Sequence, residues 1–294
     1  MSRKNKLVKP FIKWAGGKRQ LLPEIKKRIP DDMSTYYEPF VGGGAVLFDL
    51  QPKKAIINDA NEELVNVYEV IRDNVDGLIR ELKHHKETLM EYREDENKEE
   101  KNYYYEVRAW DRKDNYDSIS DLKKAGRIIF LNKTCFNGLF RVNLKNQFNV
   151  PFGRYKNPAI VNEEVLRAVS HYLNNNNIRI TNEDFEEAMK GMRKQAFVYF
   201  DPPYHPISDS SSFTGYTVDG FDEKDQRRLK KLCDNLDERG CRFMLSNSSA
   251  PLIQELYEPN YEVEYIGANR SINSDGDKRG EVKEVLVRNF EIGG

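Results

Sequence analysis

The 294-residue chain predicts an α/β fold: a doubly wound, mostly parallel sheet with an antiparallel C-terminal strand, interrupted by an inserted unit of helices and a β-hairpin. Three observations predict it. "TYYEPFVGGGAVLFDL" reads as strand, glycine turn and helix, and "KKAIINDANEELVNVYEVI" follows with a strand over 55–58 and a second helix, so the chain opens as a βαβ unit. The alternation then stops and resumes only after "LNNNNI". Finally, "YEVEYIG" and "KEVLVRNFEI" are two strands separated by a loop, suited to an antiparallel pair.

Each element has a local reason. Leu64, Val67, Tyr68 and Ile71 fall on one face of the second helix. Residues 72–125 are highly charged, with helical stretches around "DGLIRELKHHKETLMEYRE" and "KNYYYEVRAWDR". Residues 126–160 are polar and aromatic, with the turn pairs Asn137-Gly138 and Phe152-Gly153 between short β-compatible runs. Beyond them come a strand at 178–181, a helix from about 184, a strand at 196–200, a helix at 222–238 and a strand at 241–246. Leu229, Leu232, Cys233 and Leu236 give the 222–238 helix its apolar stripe. Residues 1–71 and 161–294 are therefore expected to form one α/β domain, and 72–160 an insertion.

Composition narrows the function classes. With 38% hydrophobic and 32% charged residues the chain reads as globular, and no apolar run is long enough to span a bilayer. The basic N-terminus is not followed by a secretory apolar region. Three cysteines without CxxC spacing and four histidines without HxxxH or HExxH spacing argue against a disulfide framework or a metal site and fit a cytoplasmic protein. The net charge of −1 hides two basic blocks: residues 1–30 hold ten Lys/Arg and one acid, and residues 123–160 hold eight and none. The second block interleaves Phe130, Phe136, Phe140, Phe148, Phe152 and Tyr155 among its cations, as surfaces that stack on nucleic-acid bases do. A polyanion partner is implied.

Two motifs carry chemistry. In "EPFVGGG" (38–44), glycines at the first strand-to-helix turn let a nucleotide-like ligand approach the backbone, and Asp59, ending the second strand, can accept from a ribose diol. The full G-x-G-x-x-G fingerprint fails, which disfavours a dinucleotide-dependent oxidoreductase. The second is "DPPY" (201–204), where an apolar strand runs into an acid and two prolines that cannot extend a sheet ladder. If Asp201 and the Pro202 carbonyl accept hydrogen bonds from an exocyclic amine, the nitrogen lone pair can localise towards an electrophilic methyl group, with the Tyr204 ring as a stacking face. Adenine N6 and cytosine N4 both fit this chemistry. Cytosine C5 does not, because no Pro-Cys pair supplies a nucleophile. A non-catalytic DNA-binding protein on the same fold is disfavoured by the intact motif.

Six blocks in collinear order carry a resemblance over nearly the whole chain: "PFIKWAGGK", "EPFVGGGAVLF", "INDANEELVN", "LNKTCFNGLFRVNLKNQFNVPFGRYKNP", "DPPY" and "RSINSDGDKRGEV". The chain resembles the Dam-type DNA adenine N6-methyltransferases, and within them the DpnII-type modification methylases that act on GATC. The resemblance implies the S-adenosyl-L-methionine-dependent methyltransferase fold, that cofactor, double-stranded DNA as partner, no metal and a target-recognition role for 72–160. A monomer would suffice, and a cognate restriction endonuclease would act without stable association. It implies that Trp14, Lys18, Glu38, Phe40, Gly42, Asp59, Asp184, Phe185 and Asp201 surround the cofactor, with Lys18 near its methionine carboxylate. It implies that Asp201, Pro202, Pro203 and Tyr204 hold the flipped adenine. Lys13, Leu139 and Arg141 match base contacts, Phe136 a wedge into the base stack, Tyr155 a backbone contact, and Asn137 lies beside them. The loop 205–221 is expected to order over cofactor and target.

Overall fold

The computed structural model describes residues 4–14, 16, 18, 21–95, 99–207, 220–269 and 281–292. Most of the expected closing loop (208–219) and of the last resembling block (270–280) lies outside the described residues.

The chain enters through helix α1 (Leu22–Arg28) and forms strand β1 (Tyr36–Glu38), helix α2 (Ala45–Leu50), strand β2 (Lys54–Asn58) and helix α3 (Glu62–Asp73). Helices α4 (Val75–Glu94), α5 (Glu100–Arg108) and α6 (Asp121–Thr134) follow, and α7 (Glu163–Asn175) returns the chain to the sheet. Then come β3 (Asn177–Thr181), α8 (Phe185–Ala188), β4 (Phe197–Phe200), α9 (Glu223–Glu238), β5 (Arg242–Ser248), α10 (Pro251–Tyr257), β6 (Glu262–Asn269) and β7 (Glu281–Arg288). The seven strands form one sheet in the order β3-β2-β1-β4-β5-β7-β6. All pairs are parallel except β7 with its neighbours β5 and β6. This is the mixed α/β architecture expected, and it is consistent with the methyltransferase fold.

Side chains alternate across the sheet. Tyr36, Tyr199, Met244 and Leu286 face one core, shared with α2, α3 and α7; Tyr37, Val198, Phe200, Phe243, Leu245, Val285 and Val287 face the other, under α8, α9 and α10. Strands covered on both sides read as continuous apolar runs, which is why "FVYF" is uninterrupted. The inserted helices do not pack as a separate body, since Leu78, Leu82, Tyr104, Ile128 and Phe130 belong to the same buried cluster as Tyr36 and Leu47.

The expected hairpin is reduced to two isolated antiparallel bridges, Cys135 with Phe152 and Val142 with Phe148. The reason is local. Between them one side makes the 3-10 turn Phe136–Gly138, with Asn137 and Gly138 at positive φ, and the other carries Pro151, which has no N–H to donate, so a regular ladder cannot run through.

Because β2 lies on one side of β1 and β4 on the other, the strand order reverses at β1. In an open α/β sheet the crevice beyond the strand ends at such a point is where ligands lie. Glu38 and Asp201 both stand at this edge. A cavity of about 660 Å³ lined by Ser34, Thr35, Lys54, Arg193 and Lys194 is at the opposite, amino-terminal edge.

Candidate active site

Asp201 leaves the buried β4 strand where Pro202 ends the ladder. Its Oδ1 is held twice, by Lys18 Nζ at 2.7 Å and by Ser246 Oγ at 2.9 Å. Ser246 is itself fixed by a 2.9 Å hydrogen bond with Tyr199 Oη. Asp201 Oδ2 has no partner among the described residues. Lys18 also donates to Tyr204 Oη at 2.7 Å and sits 4.2 Å from the Tyr204 ring centroid, while Tyr204 Oη donates to Glu284 Oε2 at 3.0 Å. Burial pushes the Asp201 carboxyl above its usual range, and Lys18 and Ser246 oppose it. For Lys18 burial is the largest single influence and works downward, but the charge and hydrogen bond of Asp201 together with Tyr199 and Glu284 outweigh it, and the net shift is upward. The ammonium expected near a cofactor carboxylate is thus 5% exposed and bonded to the carboxylate of the "DPPY" turn.

The two proline carbonyls differ. Pro203 O accepts from Gln226 Nε2 at 3.0 Å, Gln226 Oε1 accepts from Asn247 Nδ2 at 3.1 Å, and Asn247 Oδ1 accepts from His205 N at 3.0 Å. Gln226 and Asn247 are fully buried, so this amide pair fixes the turn from behind. The Pro202 carbonyl accepts nothing among the described residues. Sequence reasoning missed Ser246, Gln226 and Asn247. Two signals existed: Gln226 is a polar residue on the buried stripe of Leu229, Cys233 and Leu236, and "SNSS" ends a fully buried strand in polar side chains.

The glycine turn is shaped as much by its own packing as by any ligand. A Cβ on Gly42, at φ +48°, would stand 2.7 Å from Trp14 Cδ1, and one on Gly44, at φ +71°, would stand 2.6 Å from Tyr68 Oη. Asp59 is tied back to the turn: Oδ2 accepts from Gly42 N at 2.9 Å and Oδ1 from Asn61 N at 3.0 Å. Burial raises its carboxyl to about 6. Glu38, buried and accepting from Tyr36 Oη at 2.8 Å, is held well above the usual range by burial, with Asp201 and Asp59 adding to the rise. Trp14 stacks on Phe140 of the insertion with centroids 5.0 Å apart, so it bridges the glycine turn and the basic block. Phe40 meets Phe185 and Phe221 at 5.4 and 5.6 Å. Asp184 caps α8 by accepting from Glu186 N at 2.9 Å and pairs with Arg228 at 3.0 Å, whose guanidinium covers the Phe185 ring.

Of the residues expected to face DNA, Lys13 and Tyr155 meet beside the 136–139 turn: Lys13 Nζ is 5.6 Å from the Tyr155 ring centroid. Phe136 is 51% exposed and Asn137, at φ +56°, is exposed beside it, whereas Leu139 is partly buried against the core. Arg141 donates through Nη2 and Nε to Asn149 O at 2.5 and 3.2 Å, so its guanidinium folds onto its own loop. Lys133, half-buried next to Lys13, was not foreseen; burial and the Lys13 charge lower it to about 8. Among the described residues no three His, Cys, Asp or Glu side chains could hold a metal, and no helix is long and apolar enough to cross a membrane.

Comparison with known proteins adds the chemistry. Residues 14–272 match the family described as D12 class N6 adenine-specific DNA methyltransferase. The chain is 46% identical over 289 residues to the type II methyltransferase M1.LlaDCHI of Lactococcus lactis subsp. cremoris, covering 98% of each protein. It is 45% identical over 294 residues to the type II methyltransferase M.MjaIII of Methanocaldococcus jannaschii, covering 96% of this chain and 99% of that one. It is 34% identical over 280 residues to the DNA adenine methylase of Haemophilus influenzae, covering 95% of this chain and 93% of that one.

Proposed function

The chain belongs to the D12 class N6 adenine-specific DNA methyltransferases, and from that premise we propose that it methylates adenine N6 within GATC in double-stranded DNA, using S-adenosyl-L-methionine and a flipped base. The observation that carries this reading is the unequal use of acceptors at the turn: Asp201 Oδ1 is held by two donors, while Oδ2 and the Pro202 carbonyl accept nothing among the described residues. An adenine amine has two N–H groups and a lone pair delocalised into the ring. Accepting both N–H groups on a carboxylate oxygen and a carbonyl localises the lone pair and leaves it directed away from both. Lys18 and Ser246 hold the carboxylate still, so these acceptors are set before the base arrives. Pro203 keeps the turn rigid, and the Tyr204 ring, fixed by Lys18 and Glu284, offers a stacking face to the extruded base. Positioning and electrostatics do the work, with no covalent enzyme intermediate.

The residues around the glycine turn fit the cofactor. Glu38 is a buried carboxylate suited to a cationic amino acid, Asp59 a half-buried one suited to a ribose, and Phe40 and Phe185 are an aromatic pair suited to its adenine. Trp14, Lys18, Gly42, Asp184 and Asp201 complete the set. When bound, the cofactor supplies a methyl group on a sulfonium. Residues 1–71 with 161–294 would then be the catalytic part and 72–160 the target-recognition part. There Arg141 and Lys13 would read guanine, Leu139 another base pair, Phe136 would wedge into the stack with Asn137 beside it, and Tyr155 would touch the backbone. GATC rests on the six-block resemblance. Two relatives carry the name type II methyltransferase, which supports a role beside a restriction enzyme.

The test is transfer of labelled methyl from S-adenosyl-L-methionine to unmethylated duplexes with and without GATC, read by nucleoside mass spectrometry. N6-methyladenine confined to the GATC duplex is expected. Equal labelling of both duplexes would overturn the site assignment, and N4-methylcytosine the base assignment.

A further inference from the structure

We propose that Asn132, a buried residue of α6 with no role in the reading above, is the positioning residue that aims Lys13 at the target DNA. The inference rests on the reading that Lys13 contacts DNA. Asn132 is 1% exposed. Its Oδ1 accepts from Lys13 N at 2.9 Å, and its Nδ2 donates to Lys13 O at 2.8 Å and to Gly138 O at 3.1 Å. One side chain thus satisfies both backbone groups of Lys13, as a neighbouring strand would, and ties that residue to the recognition turn. The amide has one workable orientation, because flipping it would set its oxygen against two carbonyls.

The lysine side chain is then guided outward. It crosses Gly138, where a Cβ would stand 2.5 Å from Lys13 Cδ, and Gly138 also has φ +64°. Beyond that glycine the ammonium reaches the Tyr155 ring. A flexible lysine whose first atoms are clamped and whose stem lies in a fixed groove loses less freedom on binding a base edge or phosphate. The next residue, Trp14, is braced on Gly42 and Phe140. Asn132 therefore sits where the N-terminal segment and the recognition turn join.

The experiment is a double-mutant cycle of Asn132→Ala and Lys13→Ala. Each variant is assayed for DNA KM, kcat at saturating DNA, cofactor Kd, and methylation of one-base-altered sites relative to the cognate duplex. Asn132→Ala should raise the DNA KM about tenfold and relax discrimination, with kcat and cofactor Kd within about threefold, a split that a purely structural tie would not produce. In the Lys13→Ala background the same change should add less than about twofold. Asn132→Asp, which keeps the acceptor but loses both donors, should resemble the alanine variant. Should Asn132→Ala fail to fold, Gly138→Ala displaces the lysine stem from the other side and should give the same kinetic split. Full additivity with Lys13→Ala, or parallel loss of cofactor binding and kcat, would overturn the inference while leaving the Lys13 contact standing. No effect of Lys13→Ala on DNA KM or discrimination would overturn both.

Discussion

Two buried ion pairs, one at the catalytic turn and one inside the insertion, use their bonding capacity in opposite ways. Arg127 of α6 is fully buried and donates through Nε to Val107 O, through Nη1 to Glu63 Oε1 and Tyr116 Oη, and through Nη2 to Arg108 O, and the same Nη2 pairs with Asp111 Oδ2 at 2.5 Å. All three of its nitrogens have acceptors. Asp111 is equally committed: Oδ2 also accepts from Phe148 N at 2.7 Å, and Oδ1 pairs with Arg112. This cluster pins the aromatic loop of the insertion to α3 and α6. At the "DPPY" turn, Asp201 has one oxygen held by two donors and one without a partner among the described residues. A saturated cluster can only hold structure, whereas a half-used carboxylate, held rigid on its used side, can bind something more.

The largest effect that would break this contrast is on rate. Asp201→Asn should slow methyl transfer by about 10³-fold, since a preorganised anionic acceptor is lost, while costing the fold little: Asp201 is 21% exposed, and Lys18 can shed its proton. Asp111→Asn should do the reverse, losing about 3 kcal/mol in denaturant melts because the fully buried Arg127 keeps Glu63 but loses its better-buried carboxylate partner, with the chemical step per folded molecule preserved. Equal destabilisation by both substitutions would remove the distinction.

Gly44→Ala should cost about 1–3 kcal/mol by overpacking Tyr68 and Phe48, a loss that calorimetry can follow. Lys18→Met sharpens the catalytic side. With the Lys18 charge gone, the Ser246 hydrogen bond is left to oppose burial at Asp201, so the acid limb of kcat at saturating cofactor should move to higher pH. An unmoved limb would mean that Lys18 does not set the ionisation of Asp201. The smallest effect is one of slope. Burial holds His85 neutral, down to about 3, with His84 adding to the fall. Its unfolded value is near 6.5, so stability complete above that pH should decline as pH falls towards 3, where the unfolded chain takes up the proton the native one refuses. His85→Phe should flatten that decline.

Much of this was legible from local signals. Buried strands announce themselves as apolar runs, and Pro202 marks where the fourth must stop. The insertion showed as a break in pattern, but its hairpin did not form regular strands because the Asn137-Gly138 turn, at positive φ, and Pro151 interrupt the ladder. What stayed hidden depends on partners far away in sequence. Ser246 bonds an aspartate 45 residues back, and Asn132 a backbone 119 residues back. A polar ending on a buried strand points to Ser246 but not to its partner, and nothing local distinguishes Asn132 from a surface asparagine. Lys18 was foreseen as functional, yet its place on Asp201 follows from the folded path of the N-terminal segment, which its own sequence does not encode.

The most direct test of the account is a single-turnover rate of N6-methyladenine formation by Asp201→Asn with cofactor and GATC duplex both pre-bound. A fall of at least about 10²-fold, with both affinities within about threefold of the parent, is what an open carboxylate oxygen serving the amine predicts. An unchanged single-turnover rate would contradict it, and would mean that the acceptor of the target amine lies elsewhere.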